Sequence, residues 1–181
     1  ALDAGAAGLQ VGSIFALCDE SGLAANHKAR LRKEAWHGRV EVFTDPYASP
    51  SGFPFKIAVV PGTLSESAEY GARKRICDLG YLRKPYRKED GTMGLRCTAE
   101  PVDDYVAKGG KVEDTEGSKC LCNALMADIG LAQIRKDGYV EKPLVTLGDD
   151  LSFARDLMDS EDGSYPASKA VDYLLRDVET A

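Results

Sequence analysis

The chain has 181 residues and a formal net charge of −6, with 44% hydrophobic and 29% charged residues. These proportions are ordinary for a globular protein of one domain, or of one domain with an appendage. The acidic balance argues against binding of duplex DNA or another polyanion. Because no apolar run reaches the roughly 18 residues of a membrane helix and no secretory signal is recognised, we expect a cytoplasmic protein.

The first elements predicted along the chain are a helix end and a buried strand. Residues 1–4 are typical of the last turn of a helix, for which Gly5 provides the C-cap. Residues 8–12 form a short apolar run bracketed by glycines, as in strands of a parallel α/β sheet that are buried on both faces. Residues 19–36 then predict a helix. Its apolar stripe holds Leu23, Leu31 and Ala35, and its remaining surface carries Lys28, Arg30, Arg32 and Lys33.

Two strands and a helix are predicted next. Residues 39–44 alternate in polarity and residues 55–60 form an apolar run, so that both predict strands. Residues 45–54 between them hold three prolines and one glycine, too many for the interior of a helix or strand. The spacing of Thr63 and Glu66 is that of a capping box, which predicts a helix that continues to about residue 75.

The second half of the chain is less regular. Residues 76–117 show no long periodic pattern, and residues 119–133 predict a short helix. Two further helices are predicted by apolar residues at helical spacing. The first stripe is Leu151, Ala154, Leu157 and Met158, and the second is Val171, Leu174, Leu175 and Val178.

The end of the first predicted strand is a candidate phosphate site. Ligands of α/β folds bind at the carboxyl ends of parallel strands, and Gln10, Val11, Gly12 and Ser13 occupy that position here. A Gly-Ser pair exposes backbone N–H groups, and the helix that follows adds a positive dipole end. The alternative is a tight strand exit that needs glycine only for close packing.

Four of the five cysteines are candidate metal ligands. Cys77, Cys97, Cys120 and Cys122 lie within 46 residues, whereas Cys18 lies apart. In a cytoplasmic protein such a group favours a metal site over disulfides, and zinc accepts four thiolates. The spacing differs from the usual pair of C-x2-C knuckles. Buried structural thiols and a redox pair therefore remain alternatives.

No catalytic residue is identified from the sequence. The two histidines, His27 and His37, lie on or just after the helix predicted at residues 19–36. Histidines in such positions usually pack or interact with the helix C-terminus, and neither is placed as a general base at a strand end. Ser13 has no nucleophile-elbow context, which argues against a hydrolase of the Ser-His-Asp type.

The segment from Gly5 to Gly22, GAAGLQVGSIFALCDESG, resembles the final βα unit of the FMN-dependent nitronate monooxygenase family, also called 2-nitropropane dioxygenases. The likeness extends to about residue 150. Its later part resembles a C-terminal extension of one bacterial branch of that family. The words that carry it are ASPSGFPFK, ICDLGYLR, RCTAEP, YVAKGG and KCLCNALMADIGL.

The resemblance implies an α/β fold, namely the C-terminal fragment of a (β/α)8 TIM barrel with an irregular α+β extension that carries the cysteines. Residues 1–60 would hold the last barrel elements, residues 61–150 the extension, and residues 151–181 a helical segment. Gln10, Val11, Gly12 and Ser13 match the family's FMN phosphate segment. The family's catalytic histidine lies upstream of this segment, so the expected fragment supplies part of the FMN site and lacks the catalytic base.

The function implied by the resemblance is the oxidation of alkyl nitronates, or of another carbon acid, by O2 with bound FMN. One alternative is a related FMN enzyme, such as an enoyl-thioester reductase or an inosinate-dehydrogenase-like protein. A second alternative is a zinc-stabilised interaction module, held by Cys77, Cys97, Cys120 and Cys122, that has no catalytic activity. We expect neither nucleic acid nor a membrane among the partners.

Overall fold

A computed structural model of the chain describes residues 4–177, so residues 1–3 of the predicted first helix lie outside the described part. The chain divides into two compact units, and the first is built from two separate stretches. Unit 1 is Ala1–Glu41 together with Leu147–Ala181, and unit 2 is Val42–Thr146. The boundaries thus follow residues 41 and 146, whereas they were expected after residues 60 and 150.

The secondary structure consists of short elements. In chain order the helices are α1 Ser13–Ala16, α2 Ala25–Trp36, α3 Ser67–Ala72, α4 Val102–Ala107, α5 Leu121–Asp128, α6 Phe153–Leu157 and α7 Ala167–Leu175. A 3-10 helix spans Val112–Thr115, and the strands are β1 Val42–Asp45, β2 Phe55–Ala58, β3 Lys84–Arg87 and β4 Met93–Arg96. Within residues 4–177, no helix has the length and apolar character needed to cross a bilayer.

The core of unit 1 forms around Tyr165. Its ring is 1% exposed and meets the ring of Phe153 edge-on, with the ring centroids 6.4 Å apart. The Tyr165 hydroxyl donates to the carbonyl oxygen of Ile14 at 2.7 Å, so the buried polar end is satisfied. The predicted stripe of Leu151, Ala154, Leu157 and Met158 is buried here as expected.

Helix α2 ends at Trp36 as predicted but begins at Ala25 rather than at residue 19. Lys28 and Arg32, expected on its solvent face, are instead buried. The Lys28 ammonium donates to the carbonyl oxygen of Asp19, and the Arg32 guanidinium donates to the carbonyl of Leu17 and to the Asp19 carboxylate. These cations satisfy backbone carbonyls that the turn before the helix leaves without helical partners.

The predicted barrel fragment is wrong. Residues 8–12 form no strand, and no β-strand is found in the described part of unit 1. Leu9 is 64% exposed and Val11 is 42% exposed, so the apolar run is not buried on either side. A strand of a parallel sheet needs neighbours to pair its backbone groups, and residues 8–12 have none. The two sheets of the described chain are antiparallel pairs, and neither closes into a barrel.

The core of unit 2 is assembled on β2. Strand β1 pairs with it antiparallel, with Val42 opposite Ala58 and Asp45 opposite Phe55. On the other side, the amide of Ala58 donates to the carbonyl oxygen of Val145 at 2.9 Å. Both strands were predicted in nearly these positions. The core cluster comprises Ala48, Ile57, Leu64, Leu121, Ala124 and Leu144.

The region between residues 76 and 117, which showed no periodicity, contains a second antiparallel pair. Strands β3 and β4 are joined by a tight turn in which the Lys88 amide donates to the carbonyl oxygen of Thr92 at 2.9 Å. Gly91 has a φ of 82° in this turn, and the Asp90 carboxylate accepts the amide of Thr92. Asp-Gly is a turn signal that identifies such hairpins, and it stands in the sequence as Asp90-Gly91.

The remaining predicted helices are present but shorter than expected. Helix α3 covers six residues of the predicted 63–75, and α5 covers eight of the predicted 119–133. Helix α7 is amphipathic as predicted, yet Val171, Leu174 and Leu175 are all exposed, while Ala170 is buried. Val178, the fourth member of that stripe, lies outside the described residues.

Candidate functional site

Gln10, Val11, Gly12 and Ser13, predicted as a phosphate-binding strand exit, instead form an irregular segment that leads into α1. Gly12 immediately precedes this helix and Ser13 is its first residue. The Ser13 hydroxyl oxygen accepts the backbone N–H of Gly148 at 2.6 Å. A Cβ on residue 148 would lie 3.1 Å from this oxygen, so glycine at that position permits the close approach.

All four of these residues line one cavity of unit 1, of about 360 Å³. At Gly12 an added Cβ would meet nothing within 4 Å, so the backbone here is open toward its surroundings. The first residues of any helix leave N–H groups without an intrahelical acceptor. The cavity is also lined by Ile14, Gly148, Asp150, Ser152, Phe153, Tyr173 and Leu174.

The charged side chain in this cavity is acidic. Asp150 accepts the hydroxyl of Ser152 at 2.7 Å and its backbone N–H at 3.1 Å. These hydrogen bonds, the hydroxyl first, hold the pKa of the Asp150 carboxyl below its ordinary value, so the group is anionic at neutral pH. A phosphate bound here would therefore be attracted by the backbone amides and repelled by the Asp150 carboxylate.

Neither histidine is among the residues that line this cavity. His27 lies on α2, where burial first and Arg30 second lower its pKa. His37 follows α2 directly, and its Nε2 lies 2.6 Å from a carboxylate oxygen of Glu161. Both positions are in keeping with the structural roles expected from the sequence.

The four clustered cysteines meet in one region of unit 2. Cys97 and Cys120 pack against each other and Ala99 in a small buried cluster. The Cys120 sulfur lies 3.8 Å from the carbonyl oxygen of Ile76, the residue before Cys77. Burial first, and then the neighbouring thiols Cys77, Cys120 and Cys122, raise the pKa of Cys97 to about 11. Each of these thiols is close enough to Cys97 to disfavour its thiolate.

Cations border the cysteines on two sides. The Arg83 guanidinium donates to the backbone carbonyl of Cys77 at 3.0 Å, and the Cys77 thiol beside it raises the pKa of Arg83. Burial opposes the charge of Arg73, but the bound Glu141 carboxylate and then the nearby Cys120 thiol raise its pKa.

Arg73 belongs to a buried ion network. Its Nε and Nη2 donate to the two carboxylate oxygens of Glu141 at 2.7 and 2.9 Å, and both side chains are at most 1% exposed. Arg135 bridges Glu141 and Asp78. The Nη1 of Arg73 has no hydrogen-bond partner among the described residues. Removing either partner of such a buried pair leaves the other charge buried without compensation, which is strongly destabilising.

The predicted metal ligands do not form a metal site in the described structure. Within residues 4–177, no three His, Cys, Asp or Glu side chains are arranged so that they could hold a metal ion. Zinc on Cys77, Cys97, Cys120 and Cys122 therefore remains a prediction from the sequence.

A second cavity, of about 560 Å³, lies in unit 2 and was not predicted. Arg96 lines it and is held between two aromatic rings, 4.9 Å from the ring centroid of Tyr86 and 5.1 Å from that of Tyr105. Glu113, Asp114, Glu116 and Lys84 add charges of both signs. No local sequence pattern links these residues, because they come from the hairpin, α4 and the 3-10 helix.

Comparison with known proteins identifies no family for the chain. No family model, no curated protein and no solved structure matches the chain.

Proposed function

We propose that the chain is part of an FMN-dependent oxidoreductase of the nitronate monooxygenase kind, and that Gln10, Val11, Gly12 and Ser13 bind the FMN phosphate. One observation carries the proposal. These four residues, which the resemblance matches to a phosphate segment, line a single cavity although they form no strand. The proposal therefore rests on this segment and its resemblance, and it does not require the barrel that was expected.

The backbone and Ser13 supply the donors for a phosphate. Helix α1 has four residues, and the amides of Phe15 and Ala16 donate to the carbonyl oxygen of Gly12, so the amides of Ser13 and Ile14 are the ones left to donate to a phosphate. The Ser13 oxygen accepts the Gly148 amide, which leaves its own O–H free to donate to a phosphate oxygen. The space beside Gly12 is open, since nothing lies within 4 Å of the position that a Cβ would take there. The Asp150 carboxylate opposes an anion, so we expect it to limit the affinity.

Bound FMN would supply the redox chemistry of the reaction. The role of this chain's residues is to bind and orient the cofactor through its phosphate. The proposed substrates are a small carbon acid such as an alkyl nitronate, and O2. His27 and His37 are not assigned as the base, since they lie on and just after α2 and His37 contacts Glu161. All five cysteines are free thiols, which supports the further proposal of a cytoplasmic location.

The phosphate site is tested by titrating the 181-residue chain with FMN, following flavin fluorescence, with inorganic phosphate as competitor. We expect Ser13→Ala to weaken FMN binding about tenfold, which corresponds to ~1.4 kcal/mol for a lost hydrogen bond to a charged group. Asp150→Asn should tighten it by removing a like charge. Ser168→Ala, at an exposed position on α7, is the matched control and should change nothing.

The enzymatic class is tested on the whole polypeptide that the gene encodes. We expect a yellow protein that releases FMN on denaturation and consumes O2 with an alkyl nitronate. Reduction of an enoyl thioester with NAD(P)H, and no reaction with a nitronate, would replace the proposal with the alternative FMN enzyme. A colourless protein that binds no FMN would overturn both.

A further inference from the structure

The cysteine cluster has no role in the proposed flavin site, and Cys120 is its central member. Its side chain packs against Cys97, and its sulfur lies 3.8 Å from the carbonyl oxygen of Ile76. From standard backbone dimensions, a carbonyl oxygen lies about 2.8 Å from the next Cα. The Cys120 sulfur is therefore within about 7 Å of the Cys77 Cα, and a small movement would bring the two sulfurs into bonding distance.

The chain around these two cysteines permits such a movement. Cys77 lies in the irregular connection between α3 and β3, and Cys120 immediately precedes α5. Neither residue is held inside a helix or a strand. The four-atom bridge of a disulfide needs Cα atoms about 4.4–6.8 Å apart, so the movement must come mainly from the connection that carries Cys77, because Leu121, next to Cys120, is part of the core cluster.

The two thiols differ in access. Cys77 is half-buried, whereas Cys120 is 6% exposed. Arg83 lies beside Cys77 and Arg73 lies near Cys120. Cys77 is therefore the thiol that a dissolved oxidant reaches more easily, whereas burial raises the pKa of Cys120 and keeps it as the thiol.

We propose that Cys77 and Cys120 form a redox-active thiol pair, in which a hydroperoxide oxidises Cys77 and Cys120 then closes a disulfide. In the first step the Cys77 thiolate attacks the O–O bond, gives two electrons to it and becomes a sulfenic acid, while the oxidant leaves as an alcohol or as water. In the second step the Cys120 sulfur displaces the sulfenic oxygen as water, with the thiol proton. The inference does not depend on flavin binding.

The test uses the full chain, first reduced and then treated with one equivalent of hydrogen peroxide. Peptide mapping under non-reducing conditions should find one cross-link between Cys77 and Cys120, and two of the five thiols should be lost. Cys77→Ser and Cys120→Ser should each abolish the cross-link. Cys97→Ser and Cys122→Ser should keep it. Cys18→Ser, at a buried cysteine of unit 1, is the matched control and should keep it as well.

Three results would overturn the proposal. They are the absence of a cross-link in the folded wild-type chain, a cross-link between another pair, and one zinc ion per purified chain that protects all four clustered thiols. Mapping of the wild-type chain decides the case even if a serine variant fails to fold, and circular dichroism identifies such a variant.

Discussion

At the residue scale, Asp128 shows most directly what burial does to a charge. It ends α5 with 6% of its surface exposed, and its Oδ1 has no hydrogen-bond partner among the described residues. Burial raises the pKa of Asp128 to about 7 from an ordinary value of 3.8. The folded chain therefore holds the proton that the unfolded chain releases between pH 4 and 7. The contribution of Asp128 to the stability of the fold is therefore least favourable above pH 7, where the buried carboxyl must be charged.

We predict that Asp128→Asn stabilises the protein at pH 8 relative to wild type, and much less so at pH 4. The folded-state pKa is raised to about 7, so wild-type stability should fall as the pH rises from about 4 to 7, by roughly 4 kcal/mol in total. Urea unfolding at pH 4, 6 and 8 measures it. Asp172→Asn, at an exposed aspartate of α7, is the control. An equal effect of Asp128→Asn at all three pH values would contradict this account.

At the scale of elements, the β3–β4 hairpin depends on one glycine. Gly94 stands opposite Tyr86 in the antiparallel pair and is buried beneath its ring. A Cβ on residue 94 would lie 2.5 Å from a ring carbon of Tyr86, far inside van der Waals contact. The same ring packs on the guanidinium of Arg96, so moving it also disturbs the wall of the larger cavity.

We expect Gly94→Ala to destabilise the fold by about 1 to 3 kcal/mol, the usual range for overpacking. In a Tyr86→Ala background the same substitution should have a much smaller effect, because the clashing ring is gone. A double-mutant cycle by chemical denaturation measures the difference. Additive effects of the two substitutions would show that the ring does not press on residue 94.

Hydrophobic periodicity predicted the elements that bury one apolar face of their own. It failed where an element depends on pairing with another segment of the chain. Helix α2 and the stripe of Leu151, Ala154, Leu157 and Met158 were found because amphipathic spacing needs only one apolar face. Residues 8–12 have the composition of a buried strand, but no strand lies beside them. The β3–β4 hairpin was not predicted because its strands are only four residues long and form no long periodic run, although the Asp90-Gly91 turn marks it.

The residues that belong to the candidate sites could be predicted from the sequence, but their arrangement in space could not. Spacing alone singled out the four clustered cysteines, and the structure brings them into one region. Spacing could not show that Arg73 lies beside Cys120. Arg73 is held in the interior by its ion pair with Glu141, a residue far along the chain. Likewise, nothing local to Ser13 indicates its bond from the amide of Gly148.

At the scale of the whole molecule, unit 2 has a continuous chain and its own core. Ile57, Leu64 and Leu144 are at most 1% exposed within it, and all of its strands pair internally. We predict that residues 42–146, expressed alone, fold with a cooperative urea transition, since a unit with its own core and paired strands meets the requirements of a domain. Circular dichroism and the accessibility of the cysteine thiols to a labelling reagent would follow this transition. A broad, non-cooperative transition would contradict the prediction.

Unit 1, by contrast, is assembled from two stretches of chain separated by the whole of unit 2. The Ser13 oxygen that accepts the Gly148 amide and the Tyr165 hydroxyl that binds Ile14 both join these stretches. During synthesis, more than a hundred further residues must therefore leave the ribosome before the C-terminal stretch, which the N-terminal stretch contacts, has been made. Contacts of such high sequence separation form slowly, so the cavity beside Gln10 and Ser13 should be among the last features of the nascent protein to form.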